Sequence, residues 1–218
     1  SNFSDLSITE VLTQALPRLS NTPYFPFHPD PLLIQAGTGA GKTTAILEAI
    51  VPFAHRHDRQ VCVISSRAAI GLQFKRNLAH KLGQTDILAD HTPEGLRHLE
   101  AIGSVRVLTY HKLWGDICSK ADWLHRIGIL VFDEVHALAV DATFVRYTGQ
   151  LLEHLPHVYS HALRVYLSAT PEPVLDHLLR AEGPNRLHHL HWPASYDQYR
   201  LHFFARTDEI VQKLDSLP

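Results

Sequence analysis

The segment from Ala36 to Thr43, with the sequence Ala-Gly-Thr-Gly-Ala-Gly-Lys-Thr, constrains the fold more than any other part of the chain. A run of apolar residues from Leu32 to Gln35 precedes it, and Ile46, Ile50 and Phe53 follow it at helical spacing. A glycine-rich loop between a buried strand and an amphipathic helix is the context that a phosphate-binding loop requires. The alternative is a glycine-rich turn before a helix, with a solvated lysine, but the flanking elements favour phosphate binding.

This loop has the residues needed to hold the phosphates of a nucleotide. Its three glycines allow backbone amides to point inward, and the N-terminus of the following helix adds partial positive charge. Lys42 is expected to bridge the β and γ phosphate oxygens, and the Thr43 hydroxyl to bind Mg²⁺. The predicted nucleotide contacts are Ala36, Gly37, Thr38, Gly39, Ala40, Gly41, Lys42, Thr43 and Thr44.

Four further runs of apolar and β-branched residues recur along the chain, among polar or helix-like stretches. They are Val61 to Ser65, Val105 to Thr109, Ile127 to Asp133 and Leu163 to Ser168. Strands that are apolar throughout are typical of parallel sheets, which helices cover on both faces. The alternation of such strands with helices predicts an α/β fold with a doubly wound, mostly parallel sheet and helices on both faces.

The most hydrophobic strand ends at Asp133-Glu134-Val135-His136, so two acidic side chains lie at the sheet edge where ligands bind in this class of fold. Asp133 is expected to hold Mg²⁺, usually through water, and Glu134 to orient and deprotonate an attacking water molecule. An acidic helix start after a buried strand would give the same sequence without a catalytic role. The pairing with the phosphate-binding loop favours catalysis by Glu134 and Lys42.

A third segment, Ser168-Ala169-Thr170-Pro171, also ends a predicted strand. Alone it indicates little, because Ser and Thr before Pro are common wherever a strand enters a loop. Together with Ala36 to Thr43 and Asp133 to His136, it resembles motifs I, II and III of the superfamily 2 DExH-box helicases in order and rough spacing. The alanine at position 36, where the simplest phosphate-loop pattern has glycine, is common in motif I of that family.

The resemblance covers roughly residues 25 to 180 and implies a RecA-like domain, the first of two in a motor that uses ATP and Mg²⁺. It further implies that His136, Ser168 and Thr170 couple the nucleotide site to the rest of the motor. The family also has a second RecA-like domain whose arginine-bearing motif faces the γ-phosphate. No Q-x-x-G-R-like segment occurs in this sequence, so we expect slow hydrolysis by this chain alone.

The expected organisation has three parts. An N-terminal lead-in occupies 1–30, the RecA-like ATP-binding domain occupies 31–185, and a linker toward the second RecA-like domain occupies 186–218. The stretch after Pro171 is equally consistent with an edge element, because its composition changes to a histidine- and aromatic-rich one.

Further segments are expected to contact the backbone of DNA or RNA. The resemblance places Arg67 in the region of motif Ia, and Thr109, Tyr110 and His111 in a strand-end motif that contacts nucleic acid. No acidic residue occurs from Arg59 to Thr85, whereas basic residues recur there, which indicates a local basic patch. A solvated helix face explains these basic residues equally well, and Tyr110 and His111 could instead pack at the strand end.

The composition of the chain limits which partners and which cellular setting are expected. The chain has 20 basic and 22 acidic residues, so no overall positive field indicates a nucleic-acid partner. Cys62 and Cys118 form no C-x-x-C pair, which argues against a disulfide framework or zinc ribbon and favours a cytoplasmic setting. The longest apolar run, Ile127 to Phe132, is too short to cross a bilayer, and we expect no membrane partner.

Recognition of the base is less well defined by the sequence. Gln14 lies upstream of the loop at a plausible distance for the glutamine that contacts the base in this family, and Tyr24, Phe25 and Phe27 could stack on that base. An exposed helix residue and a packed aromatic loop are equally consistent with these positions. The base specificity therefore stays open.

Four functions compete at this stage. An ATP-dependent helicase or translocase is the leading hypothesis, and a duplex-tracking motor subunit of a restriction or remodelling enzyme would use the same chemistry without separating strands. A nucleic-acid clamp that only binds ATP is opposed by Lys42, Asp133 and Glu134, because hydrolysis needs these residue types. A kinase or small-molecule ATPase without a nucleic-acid partner is opposed by the combination of motifs.

Overall fold

The computed structural model describes residues 6–20, 29–65, 68–140 and 145–192, which are organised around a sheet of seven strands. The strands are β1 (Leu32–Ala36), β2 (Gln60–Ser65), β3 (Ala101–Ile102), β4 (Val105–Thr109), β5 (Ile127–Phe132), β6 (Leu163–Ser168) and β7 (His188–Trp192). Their order across the sheet is β3-β4-β2-β5-β6-β1-β7. The short strand β3 runs antiparallel to β4, and the other pairs are parallel.

Helices connect the parallel strands. They are α1 (Ile8–Ser20), α2 (Lys42–Ala45), α3 (Val51–Arg56), α4 (Ala68–Lys81), α5 (Asp86–Asp90), α6 (Pro93–His98), α7 (Tyr110–Cys118), α8 (Ala137–Val140), α9 (Val145–Val158) and α10 (Glu172–Glu182). A π-helical segment, Ile46–Ile50, joins α2 to α3 in one continuous helix, and a 3₁₀ segment, Asp122–Arg126, precedes β5. None of the helices in the described ranges is both long enough and apolar enough to cross a membrane.

The sheet buries side chains on both faces, as its uniformly apolar strands predict. In β1, Leu32, Ile34 and Ala36 join the core that α1 to α4 and α6 cover, whereas Leu33 points into the core beneath α7 to α10. This arrangement follows from the two-residue period of a strand, which sends successive side chains to opposite faces. The structure therefore confirms the predicted α/β fold with a doubly wound, mostly parallel sheet.

The predicted strands differ from the observed ones by at most one residue at each end. β1 extends to Ala36, β2 begins at Gln60, and β5 ends at Phe132, one residue earlier than expected. Asp133 nevertheless keeps the ladder, because its backbone amide donates to the carbonyl of Ile64 at 2.8 Å.

The first part of the expected linker, which begins at residue 186, belongs to the sheet as the edge element that the sequence left open as an alternative. Residues His188–Trp192 form β7, which pairs in parallel with β1 from Leu32 opposite His188 to Ala36 opposite Trp192. An edge strand has one neighbour, and β7 turns only Leu190 and Trp192 toward the core, so it lacks the apolar density that marks the inner strands. The remainder of the expected linker, 193–218, lies outside the described residues.

The N-terminal lead-in also contributes to the domain. Helix α1 buries Ile8, Leu12 and Leu16 against the core, and Trp192 at the end of β7 donates its indole N–H to the carbonyl of Leu6 at 2.9 Å. The start of α1 thus lies at the carboxyl edge of β7, and the helix runs back toward the amino edge.

A buried ion pair ties β6 to the end of α10 at the amino edge of the sheet. Arg164 is 1% exposed and contacts Glu182 through Nε (2.5 Å) and Nη2 (2.8 Å). Its Nη1 donates to the carbonyls of Tyr159 and Ala162, and the Tyr166 hydroxyl donates to Glu182 at 2.5 Å. Both charges are therefore paired and hydrogen-bonded, which is the condition under which a protein tolerates buried charges.

Candidate functional site

The phosphate-binding loop lies at the carboxyl edge of the sheet, between β1 and α2. Gly39 and Gly41 have φ angles of 82° and 90°, in the left-handed region that residues with a side chain rarely adopt. Gly41 is the N-cap of α2 and gives it no side-chain hydrogen bond. The amides of the first helical turn are therefore available to an external acceptor such as a phosphate.

Lys42 is 7% exposed and is held within this loop. Its Nζ donates hydrogen bonds to the carbonyl oxygens of Ala36 (2.7 Å) and Gly37 (3.2 Å). The same Nζ lies 3.5 Å from Glu134 Oε1, which belongs to the segment that follows β5. The structure therefore brings together Lys42 and Glu134, the two predicted catalytic residues.

The segment Asp133 to His136 is anchored to the sheet on both sides. In addition to the bond from Asp133 to β2, the amide of Val135 donates to the carbonyl of Leu167 in β6 at 2.9 Å. Between these two anchors, Glu134 has a φ angle of 52°. A left-handed backbone at a residue other than glycine carries strain, and such strain is concentrated at functional sites. It turns the Glu134 side chain toward the phosphate-binding loop.

Asp133 is almost fully buried beside Glu134, and this raises the pKa of its carboxyl to about 6. Burial is the main cause, and the charge of Glu134 adds to it. The charge of Lys42 and a hydrogen bond from the backbone of Glu134 act in the opposite direction. The ionised Asp133 side chain is thus incompletely compensated, and a bound cation would favour it.

Most of the predicted nucleotide contacts and both predicted metal ligands line one cleft of about 320 Å³, whereas Ala36, Gly37 and Ala40 are not among its lining residues. It is lined by Thr38, Gly39, Gly41, Lys42, Thr43, Thr44, Asp133 and Glu134. Hydroxyl and carboxylate oxygens from Thr43, Asp133 and Glu134 are the donor types that Mg²⁺ prefers. Glu134 Oε2 is buried and accepts no hydrogen bond in the described part of the chain. The residues present therefore fit a phosphate-bound magnesium ion.

The predicted coupling residues are connected to each other. His136 Nδ1 shares a hydrogen bond of 2.9 Å with Ser168 Oγ, and Ser168 Oγ also accepts from the amide of Thr170 at 3.1 Å. His136 Nδ1 also lies 3.3 Å from Glu134 Oε2, although without the geometry of a hydrogen bond. One histidine thus contacts both the predicted general base and Ser168, the last residue of β6.

The predicted nucleic-acid residues fall into different environments. Thr109 ends β4 and caps α7, because its hydroxyl accepts from the amide of Lys112 at 3.3 Å. His111 is exposed, whereas Arg67 lies outside the described residues. Tyr110 is 3% exposed and packs at the strand end, which is the alternative to a nucleic-acid contact that the sequence left open. Its hydroxyl instead donates to the carbonyl of Asp133 at 2.9 Å, a contact that the sequence alone did not reveal.

The basic segment from Arg59 to Thr85 does not act as one patch. Lys75 is 5% exposed, and its Nζ donates to the carbonyls of Leu96 (3.2 Å) and Arg97 (2.6 Å) near the end of α6. Burial lowers the pKa of this lysine. Lys75 therefore has a structural role in this conformation, since it satisfies terminal carbonyls of a helix.

Gln14 does not reach the nucleotide cleft. It lines a shallow groove with Leu32 and His188, which begin β1 and β7 at the amino edge of the sheet. The start of α1 is closer to the phosphate-binding loop, and the six-residue step from Ile8 to Gln14 corresponds to about 9 Å along the helix axis. The suggestion that Gln14 contacts adenine is therefore not supported. Tyr24, Phe25 and Phe27 lie outside the described residues.

Comparison with known families agrees with this geometry. The sequence profile of the DEAD/DEAH box helicases matches residues 13–178, which is most of the chain. The chain belongs to the DEAD/DEAH box helicase family. A search of curated proteins found no matching relative. The expected identity as an ATP-binding, RecA-like domain of a superfamily 2 helicase is thereby confirmed.

Solved structures support the same fold for this helicase domain. One similar structure is the crystal structure of a hypothetical ATP-dependent RNA helicase from Sulfolobus tokodaii, with a TM-score of 0.55 and 14% sequence identity. The match covers 87% of this chain and 53% of that helicase. The chain therefore spans about half the length of the helicase that it matches.

Proposed function

We propose that this chain is the first motor domain of an ATP-dependent nucleic-acid helicase or translocase, and that it binds Mg-ATP in the cleft between the phosphate-binding loop and the end of β5. The observation that carries the proposal is the contact between Lys42 and Glu134 beside the buried Asp133. Phosphoryl transfer to water requires a lysine, a partly exposed carboxylate and a second carboxylate whose ionised form is favoured by a bound cation.

The loop residues bind and orient the triphosphate. The amides after Gly39 and Gly41 and the N-terminus of α2 would hold phosphate oxygens. Lys42 would exchange its carbonyl contacts with Ala36 and Gly37 for the β and γ oxygens. Thr43 and Asp133 would hold Mg²⁺, which supplies charge neutralisation at the γ-phosphate.

Glu134 is the proposed general base. Its strained backbone places the carboxylate between Lys42 and His136, with Oε1 toward the lysine and Oε2 without a hydrogen-bond donor among the described residues. A water molecule that approaches the γ-phosphate can donate to the Glu134 carboxylate and be deprotonated there.

His136, Ser168 and Thr170 would transmit a change at Glu134 to the loop after β6. The hydrogen bonds that join these three residues allow a shift of the Glu134 side chain to move that loop. In a two-domain motor, such a loop would face the partner domain. We propose coupling rather than chemistry as their role.

Thr109, His111 and Arg67 are the proposed contacts with the backbone of DNA or RNA. The Thr109 hydroxyl accepts one hydrogen bond from α7 and still has its own proton to donate to a phosphate oxygen. A cavity of about 410 Å³ next to Thr109 is also lined by Ser65 and Lys112, at the carboxyl edge of β2 and β4. The nucleic-acid surface would therefore adjoin the nucleotide cleft along the same sheet edge.

The proposed partner within the motor is a second RecA-like domain that supplies an arginine to the γ-phosphate. An arginine supplied across a cleft contributes about 10³ to 10⁵ in rate to phosphoryl transfer. This 218-residue chain is therefore expected to bind Mg-ATP but hydrolyse it slowly.

Steady-state ATP hydrolysis tests the proposed function. A full-length protein, in which this domain is joined to the proposed second RecA-like domain, should hydrolyse ATP faster when a single-stranded DNA or RNA homopolymer is added, and the 218-residue chain should stay slow with either polymer. A rate that no DNA or RNA increases would contradict the nucleic-acid motor and support a small-molecule ATPase. Stimulation without strand displacement on a tailed duplex would indicate a translocase that follows duplex DNA.

A further inference from the structure

Tyr110 joins two segments that the proposed function assigns to different tasks. It directly follows Thr109, the proposed backbone contact, and begins α7. Its hydroxyl donates to the carbonyl oxygen of Asp133 at 2.9 Å, in the segment that would hold Mg²⁺ and activate water. A single buried side chain therefore connects the end of β4 to the end of β5.

This connection crosses an intervening strand. β2 lies between β4 and β5 in the sheet, so the two strand ends are about 10 Å apart. The Tyr110 ring bridges that distance by stacking on Phe132, with ring centroids 6.2 Å apart and planes inclined by 21°. Phe132 in turn stacks on Tyr166 of β6 at 5.0 Å. Three aromatic rings thus form a row on one face of the sheet.

The bonded carbonyl lies at a sensitive position. It belongs to the peptide between Asp133 and Glu134, directly before the residue with the strained φ angle of 52°. Rotation of this peptide plane would alter both the direction of the Asp133 carboxylate and the approach of Glu134 to Lys42. A hydrogen bond in a buried, apolar setting resists such rotation more strongly than one in water.

Thr109 and Tyr110 are also mechanically linked to each other. The Thr109 hydroxyl caps α7 through the amide of Lys112, and Tyr110 is the first residue of that helix. A phosphate bound at Thr109 that shifts this cap would therefore shift the Tyr110 ring and its hydroxyl.

We propose that Tyr110 is a positioning residue through which nucleic acid bound at the end of β4 controls the alignment of Asp133 and Glu134 for ATP hydrolysis. The proposal rests on the proposed function, because it requires nucleic-acid-stimulated hydrolysis. It adds a second connection to the one through His136 and Ser168, on the opposite side of the Asp133 to His136 segment.

The test compares Tyr110→Phe with Tyr166→Phe in the full-length protein. Each substitution removes one buried hydroxyl from the same aromatic row and keeps the ring, but the Tyr166 hydroxyl contacts Glu182 at the amino edge of the sheet. The readout is the ratio of the stimulated to the basal ATPase rate, with poly(dT) and poly(U) as probes. Because both rates come from one sample, the ratio does not depend on the folded fraction.

Tyr110→Phe is expected to lower the maximal stimulation ratio about five- to tenfold, the range that corresponds to the loss of one buried hydrogen bond. The polymer concentration for half-maximal stimulation should change less than twofold, because Tyr110 does not contact the polymer. Tyr166→Phe should keep the wild-type ratio.

Three results would overturn the inference. Wild-type stimulation in Tyr110→Phe would reject Tyr110 and leave the proposed function intact. Equal losses in both variants would mean that any disturbance of the aromatic row has this effect. A wild-type protein that neither polymer stimulates would reject the inference and the proposed nucleic-acid motor together.

Discussion

At the amino edge of the sheet, Arg164 and Glu182 are buried and fully engaged with each other, with backbone carbonyls and with Tyr166. At the carboxyl edge, Asp133 is also buried, but it lies beside another carboxylate, Glu134, and its pKa is raised to about 6. The same sheet thus carries two charged clusters. The amino-edge cluster is complete, because its charges compensate each other, and the carboxyl-edge cluster is incomplete, because the charge of Asp133 is not fully compensated.

This difference distinguishes charged side chains that stabilise the fold from charged side chains that can bind a ligand. A buried pair with satisfied hydrogen bonds offers nothing to a ligand, and breaking it leaves an uncompensated ion. An incompletely compensated cluster costs stability, and a ligand of the right charge can recover that cost. On this basis the carboxyl-edge cluster is the site, and Arg164 with Glu182 holds the domain together.

The largest expected effect concerns the function of the incomplete cluster. Glu134→Gln should reduce the ATPase kcat of the full-length protein by about 10² to 10⁴, because the amide cannot accept a proton from water. ATP binding should persist, since Lys42 and the loop are unchanged. Steady-state kinetics with a fluorescent-nucleotide titration measures both quantities.

Glu153→Gln, at an exposed position on α9, is the matched control and should keep the wild-type kcat. A kcat within threefold of wild type in Glu134→Gln would remove Glu134 from the proposed role of general base.

The second effect concerns the complete cluster. Arg164→Leu should lower the free energy of unfolding by about 3 to 5 kcal/mol, because it leaves the buried Glu182 without its cation. Urea unfolding of the 218-residue chain measures the change. The exposed Arg180→Leu on α10 should change it by less than about 0.5 kcal/mol.

The double variant Arg164→Leu with Glu182→Leu should recover part of the loss, because no unpaired charge remains. If Arg164→Leu were as mild as Arg180→Leu, the contrast between the two edges would not hold.

The smallest expected effect is an increase in the free energy of unfolding, whereas Arg164→Leu is expected to lower it. In the nucleotide-free chain without Mg²⁺, Asp133→Asn should raise the free energy of unfolding at pH 7.5 by about 2 to 3 kcal/mol. The reason is that Asp133 releases its proton near pH 6 when folded but near pH 4 when unfolded. Between these values the unfolded chain binds fewer protons, so wild-type stability falls as pH rises.

Urea unfolding at pH 5 and pH 7.5 tests this sign. The advantage of Asp133→Asn should be smaller at pH 5, whereas Glu182→Gln should destabilise the chain at both pH values. A destabilising Asp133→Asn at pH 7.5 would mean that the carboxyl-edge cluster is as well satisfied as the amino-edge one.

The sequence predicted the inner strands and the nucleotide cleft, because both depend on local patterns. Buried parallel strands are apolar throughout, and the left-handed turns at Gly39 and Gly41 require glycine. The edge strand β7 was predicted only as an alternative to a linker, because it pairs on one side only and its sequence lacks the apolar density of the inner strands. Two contacts between residues distant in sequence could not be predicted, for a different reason. The hydrogen bonds from Lys75 to the end of α6 and from Tyr110 to Asp133 depend on tertiary packing, which no local spacing in the sequence encodes.

Binding of a fluorescent ATP analogue to the 218-residue chain, with and without Mg²⁺, tests the central claim most directly. We predict saturable, magnesium-dependent binding to the wild-type chain and at least a tenfold weaker affinity in Lys42→Ala, with Lys81→Ala on the outer surface of α4 as the unaffected control. Equal binding by wild type and Lys42→Ala, or none by a folded wild-type chain, would contradict the assignment of this cleft as the nucleotide site.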